Sequence, residues 1–255
     1  MKPTDPPDRS IKTAGRVFNI IEVVQQLNGA TFTELSEHIE MSESTLYDYL
    51  ATLSHLGYLS KENGEYNLSL QFFDLGISAR NRFQILSKSR SILKQMAEES
   101  GAAAWLTVEE EGKAVYLERE LGEQSIETHE RLGKHEFMHC LASGKAMLAF
   151  APEEHVQNVV DRYGLPKKTP ESITSLEELK AELSTIREQG YAINRHEIVE
   201  GVSAVAAPIV ANDRVYGAVA IAGPEARLEN ETYQQETIEL VTTASNEIEL
   251  RLTYE

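Results

Sequence analysis

The sequence predicts an α+β chain of two domains: an N-terminal winged helix-turn-helix and a C-terminal α/β domain with a central antiparallel sheet. Three observations carry this. Thr31–Leu59 reads as two short helices separated by the turn Glu40-Met41-Ser42. Asn63-Gly64 between short alternating runs is a hairpin signal. From Ala102 onward the apolar spacing changes from helical to alternating. A length of 255 residues also exceeds that of a usual single domain.

Residues 1–10, MKPTDPPDRS, lack an apolar signal-peptide core and read as a disordered tail. Residues 11–70 read as the winged helix. Ile11–Leu27 places Val17, Ile20, Ile21 and Val24 at helical spacing and ends at Asn28-Gly29. Thr31 and Glu34 are spaced as a capping box for a helix running to about Ile39. Ser42 caps a second helix, Glu43 to about Leu56, in which Leu46, Leu50 and Leu53 form one buried stripe. Ser44, Thr45, Tyr47 and Tyr49 are left on the outward, N-terminal part, where a recognition helix meets a major groove. Thr33, Ser42, and Lys61 and Asn63 of the wing complete the candidate DNA contacts.

Residues 71–83 read as a linker helix with Phe72 and Phe73 packed in a core or against a second copy. Residues 84–255 form the second domain. It opens with a helix over Gln84–Ser100, closed by Gly101. Strands follow at Ala103–Val108 and Lys113–Arg119 around the turn Glu109–Gly112, with a third expected over Ser125–Arg131. Helices are predicted over His139–Phe150, Glu153–Arg162 and, from the box Ser175/Glu178, as far as Gln189. Strands Val202–Val210 and Val215–Ala222 join through Asn212-Asp213, and Thr232–Leu252 closes the chain as a helix.

Composition narrows the function. No apolar run reaches the ~18 residues of a membrane span, so no membrane partner is expected. The lone Cys140 excludes an internal disulfide and suits a reducing cytoplasm. Formal net charge is −17, with 41 acidic against 24 basic residues, which on electrostatics alone argues against nucleic acid. The acidity is spread along the whole chain, which instead fits a halophilic cytoplasm where salt screens self-repulsion.

Enzyme chemistry finds no foothold. His129, His135 and His139 near Cys140 match no standard zinc spacing, so neither metal nor cofactor is expected. Cys140 and His139 would point about 100° apart on a helix, too divergent for a nucleophile–base pair. Gly144-Lys145-Ala146 fails the phosphate-loop pattern at both ends. Glu197 and Glu200 are a conceivable carboxylate pair, but solvation, or fixing of the next strand, explains them better.

The residues do resemble one family over about 10–255, the IclR-type transcriptional regulators. The winged helix ending LATLSHLGYLSKENGEYNLS carries the first part of the likeness. The segment His139–Phe150, similar to H-x-x-x-x-G-K-A-x-L-A, carries the second. Gly190-Tyr191, then Glu200–Pro208 and Ala222-Gly223-Pro224, carry the third. The resemblance implies a homo-oligomer, dimer or tetramer, on a palindromic double-stranded operator. It also implies a GAF-like C-terminal domain that binds a small effector and alters binding to the operator of a metabolic operon. Gly144 and Lys145 would line the effector pocket.

Where family members that bind small carboxylates offer an acid, a thiol and hydroxyls, this chain has Asn194, Ala204, Ala220 and Ala222. That departure implies a more apolar ligand, polar contacts from elsewhere, or a site no longer used. The recognition helix departs too, since Ser42–Tyr49 holds Glu43 and Asp48 and no basic residue. The competing reading is a winged-helix sensor or protein-interaction module that does not bind DNA directly.

Overall fold

The computed structural model describes residues 11–126 and 130–254. The chain divides between Arg82 and Phe83 into two compact units.

In the first unit, α1 (Lys12–Leu27) ends where Asn28 turns left-handed, at φ 56°, and its N–H returns to the helix. A short strand β1 (Ala30–Thr31) leads into α2 (Phe32–His38). The capping box is reciprocal: Thr31 Oγ1 accepts from the Glu34 N–H, and Glu34 Oε2 accepts from the Thr31 N–H at 2.8 Å. α3 (Glu43–His55) starts at Ser42, whose hydroxyl accepts from the Thr45 N–H. Strands β2 (Leu59–Glu62) and β3 (Glu65–Leu68) form the wing about Asn63-Gly64, both at positive φ as a tight two-residue hairpin requires. β1 pairs with the far side of β3, an addition that sequence periodicity is too short to register. Leu46, Leu50 and Leu53 meet Ile20, Val24 and Leu35 in one core. α4 (Gln71–Asn81) follows, with no buried residue of its own.

The second unit begins with α5 (Ile85–Ser100), which Gly101 terminates at φ 67°. β4 (Ala103–Glu110) and β5 (Lys113–Leu121) meet at Glu111-Gly112, a tighter turn than the four residues expected. Of Ser125–Arg131, residues 127–129 lie outside the described residues and the others form no strand. The third strand is β6 (His135–Phe137), paired with the start of β5. The helix expected from His139 begins only at α6 (Ala142–Ala149), because Met138–Cys140 coils as a single 3-10 turn and Leu141 is extended. Gly144 belongs to this junction: a Cβ there would lie 2.1 Å from the Met138 carbonyl oxygen.

α7 (Glu153–Tyr163) and α8 (Leu176–Gln189) follow; Ser175 caps α8 through the Glu178 N–H, one half of the expected box. β7 (Ala192–Arg195), β8 (Val202–Ala211) and β9 (Arg214–Pro224) complete the sheet, and α9 (Glu225–Leu228) and α10 (Glu231–Tyr254) end the chain. The strand order is β6-β5-β4-β9-β8-β7, antiparallel throughout. Strand alternation gives the sheet two apolar faces. Ala104, Leu106, Val205 and Val219 pack under α5 and α10. Trp105, Ala206, Ala218 and Ala220 pack under α6 and α8. No helix of the described residues is long and apolar enough to cross a membrane.

Candidate DNA-reading helix and ligand cavity

In the first unit the buried stripe of α3 fixes which side chains remain outside. Leu46, Leu50 and Leu53 face the core, leaving Ser44, Tyr47 and Asp48 exposed and Tyr47 60% accessible. Thr45 is half-buried and bonds its hydroxyl to Ser42 at 2.7 Å, so both of these side chains serve the helix start. Tyr49 packs partly against the core, which turns it from the outward face. Thr33 is exposed on α2, and Asn63 is exposed at the wing tip. Lys61 folds back over its own hairpin, donating to Tyr66 Oη at 3.1 Å. The candidate contacts thus separate into free side chains (Thr33, Tyr47, Asn63) and side chains with structural partners (Ser42, Ser44, Thr45, Tyr49, Lys61), the Ser44 hydroxyl lying 3.2 Å from that of Ser42.

In the second unit a cavity opens between the sheet and the start of α6. Its floor is Ala103, Trp105 and Thr107 of β4, Tyr116 of β5, Ala204 of β8, and Ala220 and Ala222 of β9. Register explains the grouping, since Ala220 pairs with Trp105 and Ala222 with both Ala103 and Ala204. Leu141, Ala142 and Ser143 form one wall; Ile126, Glu130, Ile198 and Val199 form the others. About 60 Å³ is open to the centre of a water molecule, and about 700 Å³ lies between the lining atoms out to the mouth.

The three alanines singled out from the sequence all line this cavity, and so does Asn194. Asn194 is committed to the wall, however: its amide donates to the Cys140 carbonyl and its Oδ1 accepts from the Glu197 N–H at 3.2 Å.

Gly144 and Lys145 do not line the cavity, contrary to expectation. Lys145 is 1% exposed, and its ammonium donates to Glu182 Oε1 at 2.8 Å, Ile193 O at 2.9 Å and Glu197 Oε1 at 2.8 Å. A cation so enclosed has no donor left for a ligand. Glu197 is buried beside it, and desolvation holds its carboxyl above the ordinary value despite the Lys145 charge. Glu200 is exposed and does not join Glu197 as a pair.

Trp105, Thr107, Tyr116 and Glu130 also line the cavity, and the sequence pattern does not mark them. Period-2 alternation puts residues 103, 105 and 107 on one face of β4, but it does not say which face is hollow. No local signal marks Glu130.

The 3-10 turn also overturns one geometric expectation. Cys140 Sγ lies 3.2 Å from His139 Nε2, because the two are not on a regular helix. They still make no nucleophile–base pair. The same Nε2 lies 3.2 Å from the Pro166 carbonyl; donating there, it has no lone pair for the thiol proton. Burial pushes the Cys140 thiol up to about 11, and burial lowers the His139 pKa. His135 bonds instead to Gly133 O and Glu110, and His129 lies outside the described residues.

A winged helix with an outward α3, followed in one chain by an α/β domain with an apolar-floored cavity, is the build of a ligand-responsive DNA-binding protein. The chain belongs to the IclR family of transcriptional regulators. The family's C-terminal model, "Bacterial transcriptional regulator IclR C-terminal", matches residues 77–250, and the IclR helix-turn-helix model matches residues 13–63. The chain is similar to the probable HTH-type transcriptional regulator ArcR of Halobacterium salinarum, at 32% identity over 96% of this chain and 95% of that protein. Among solved structures it is similar to the Thermotoga maritima IclR, at 28% identity and TM-score 0.81, over 96% of this chain and all of the other. It shares its fold, at 21% identity and TM-score 0.79, with an IclR homologue from Microbacterium hydrocarbonoxydans complexed with 4-hydroxybenzoate, over 94% of this chain and 98% of that one. The family joins a helix-turn-helix DNA-binding domain to a C-terminal effector-binding domain, and this chain has both.

Proposed function

We propose that the protein is a cytoplasmic homo-oligomer that places two copies of α3 on a palindromic operator of a metabolic operon and releases or grips it as the cavity fills. The observation that carries this reading is the division of α3: one stripe is buried and the opposite side, Ser44, Tyr47 and Asp48, is exposed. Tyr47, Ser44, Thr33 and Asn63 are the groups that would reach bases or phosphates, with Thr45 and Ser42 positioning the helix start.

Oligomerisation draws support from apolar residues left uncovered within the first unit. Phe18 on α1 is 62% exposed and Phe73 on α4 67% exposed, whereas Phe72 packs its ring against Tyr58 with centroids 5.3 Å apart. Operation at high internal salt draws support from the −17 net charge and from a relative in Halobacterium salinarum. Residues 1–70 hold only Lys2, Arg9, Lys12, Arg16 and Lys61 against ten acids. Few phosphate contacts follow, hence a shallow salt dependence: two to four contacts give a log–log slope of roughly −2 to −4.

The deciding experiment measures binding to the protein's own upstream region across ~0.2–3 M KCl. Sequence-specific binding that persists into high salt is expected. Equal binding to scrambled DNA, or none at any salt, would favour the reading as a sensor that contacts another protein.

A further inference from the structure

The cavity's polar atoms differ in kind from its apolar floor. Thr107 is fully buried, and its Oγ1, on the cavity face of β4, has no hydrogen-bond partner. Glu130 offers a carboxylate whose side chain is 12% exposed. One oxygen accepts from Lys134 Nζ at 2.8 Å, while Oε2 is buried without a partner. Beside them stands the Tyr116 phenol, which burial and the Glu130 and Glu136 carboxylates keep neutral by raising its pKa well above the usual value. Glu130 is the one charged side chain among the described lining residues; no lysine or arginine lines the space.

Two cations stand behind the lining residues, outside the lining itself. Lys134 bridges Glu130 and Glu136, both at 2.8 Å. Arg119 donates to the Glu130 carbonyl and lies over the Trp105 ring.

Charge therefore selects against an anion. A carboxylate entering this space would lose its water, meet no cation among the described lining residues and face the Glu130 carboxylate. An O–H or N–H donor would meet buried oxygens with accepting capacity to spare, Thr107 Oγ1 and Glu130 Oε2 among them. The centre-accessible room equals about four to six waters on the same measure, which suits a single ring or a short branched body. Trp105 and Tyr116, with ring centroids 4.7 Å apart, supply the apolar surface for it.

We propose that this cavity takes a small ligand with an apolar body and a hydrogen-bond donor, a hydroxyl or an ammonium, received by Glu130 and Thr107, and that it discriminates against carboxylates. The proposal rests on the effector-binding reading and specifies the ligand class for the same site. The alanines at 204, 220 and 222 then act as floor for the ligand body, and its polar contacts come from β4 and the segment before β6.

The test is calorimetric titration and thermal shift of the full chain with four probes of one shape: benzyl alcohol, benzylamine, benzoate and toluene. The expected result is saturable binding of the alcohol or the amine at least tenfold tighter than benzoate, with toluene between. Glu130→Gln should then narrow the gap to benzoate at least tenfold if the donor is an ammonium. If the donor is a hydroxyl, Glu130→Gln should keep most of the alcohol's binding and Thr107→Val should weaken it several-fold. Benzoate binding tighter than the other three overturns the proposal while leaving the effector site standing. Donor binding that neither variant alters also overturns it. If none of the four binds the unmodified chain, the proposal and the effector reading of this cavity fall together.

Discussion

Lys145 sits at the centre of a buried knot in which two carboxylates and a backbone carbonyl take all its protons. Replacing it by methionine keeps the volume but leaves Glu197 charged, buried and without its cation. Breaking such a pair costs about 3–5 kcal/mol, so Lys145→Met should lower the urea midpoint sharply. Adding Glu197→Gln should restore part of the loss, because the uncompensated charge goes with it. A single variant as stable as the parent would mean that the knot contributes nothing. Cys140 gives a pH test at the same scale. A thiol held near 11 has little thiolate at neutral pH, so native-state labelling should be slow at pH 8 and climb until about pH 11. Unfolded chain, with a free thiol near ~8.5, should label readily at pH 8. Fast labelling of native protein at pH 7 would show that the thiol is neither buried nor raised.

At the scale of elements, helix starts and helix faces carry separable roles. Thr31→Ala removes one half of the capping box at α2 and should cost about 1 kcal/mol in denaturant unfolding. Tyr47→Ala removes an exposed ring with no core contact, so stability should stay within about 0.5 kcal/mol. Operator binding should nevertheless be lost when Tyr47→Ala is combined with Thr45→Ala, with the oligomer intact in sizing experiments; retained binding would mean that another element reads the DNA. α4 asks a different question, since its Phe73 is uncovered within its own unit. Phe73→Glu should shift the oligomer toward smaller species without changing the far-ultraviolet spectrum. These elements were legible because their signals are local. A cap, a stripe of leucines three and four apart, and an Asn-Gly turn each depend on a few neighbouring residues. β1, β7 and α9, at two to four residues, carry too little pattern to be read.

For the whole molecule the decisive quantity is charge. A chain with 41 acids against 24 bases repels itself, and the repulsion is relieved as the screening length falls from ~10 Å at 0.1 M salt to ~3 Å at 1 M. The thermal midpoint should therefore rise steadily with KCl. A midpoint independent of salt would remove the case for a high-salt setting.

What the chain determined locally is its two-part build: a winged helix, then an antiparallel sheet between helices, with the alanine-rich strands that floor the cavity. Hydrophobic period and turn chemistry act over a few residues, so they survive in a bare sequence. Tertiary structure alone decided the rest. It turned Lys145 into an internal ion pair by bringing residues 182 and 197 to it, 37 and 52 positions away. It placed Cys140 against His139 by replacing a helical turn with a 3-10 turn. It assembled Trp105, Thr107, Tyr116 and Glu130 round one hollow. The physical reason is that a cavity or a buried charge is a property of distant segments meeting, and its chemistry is set by which polar atoms that meeting leaves without partners.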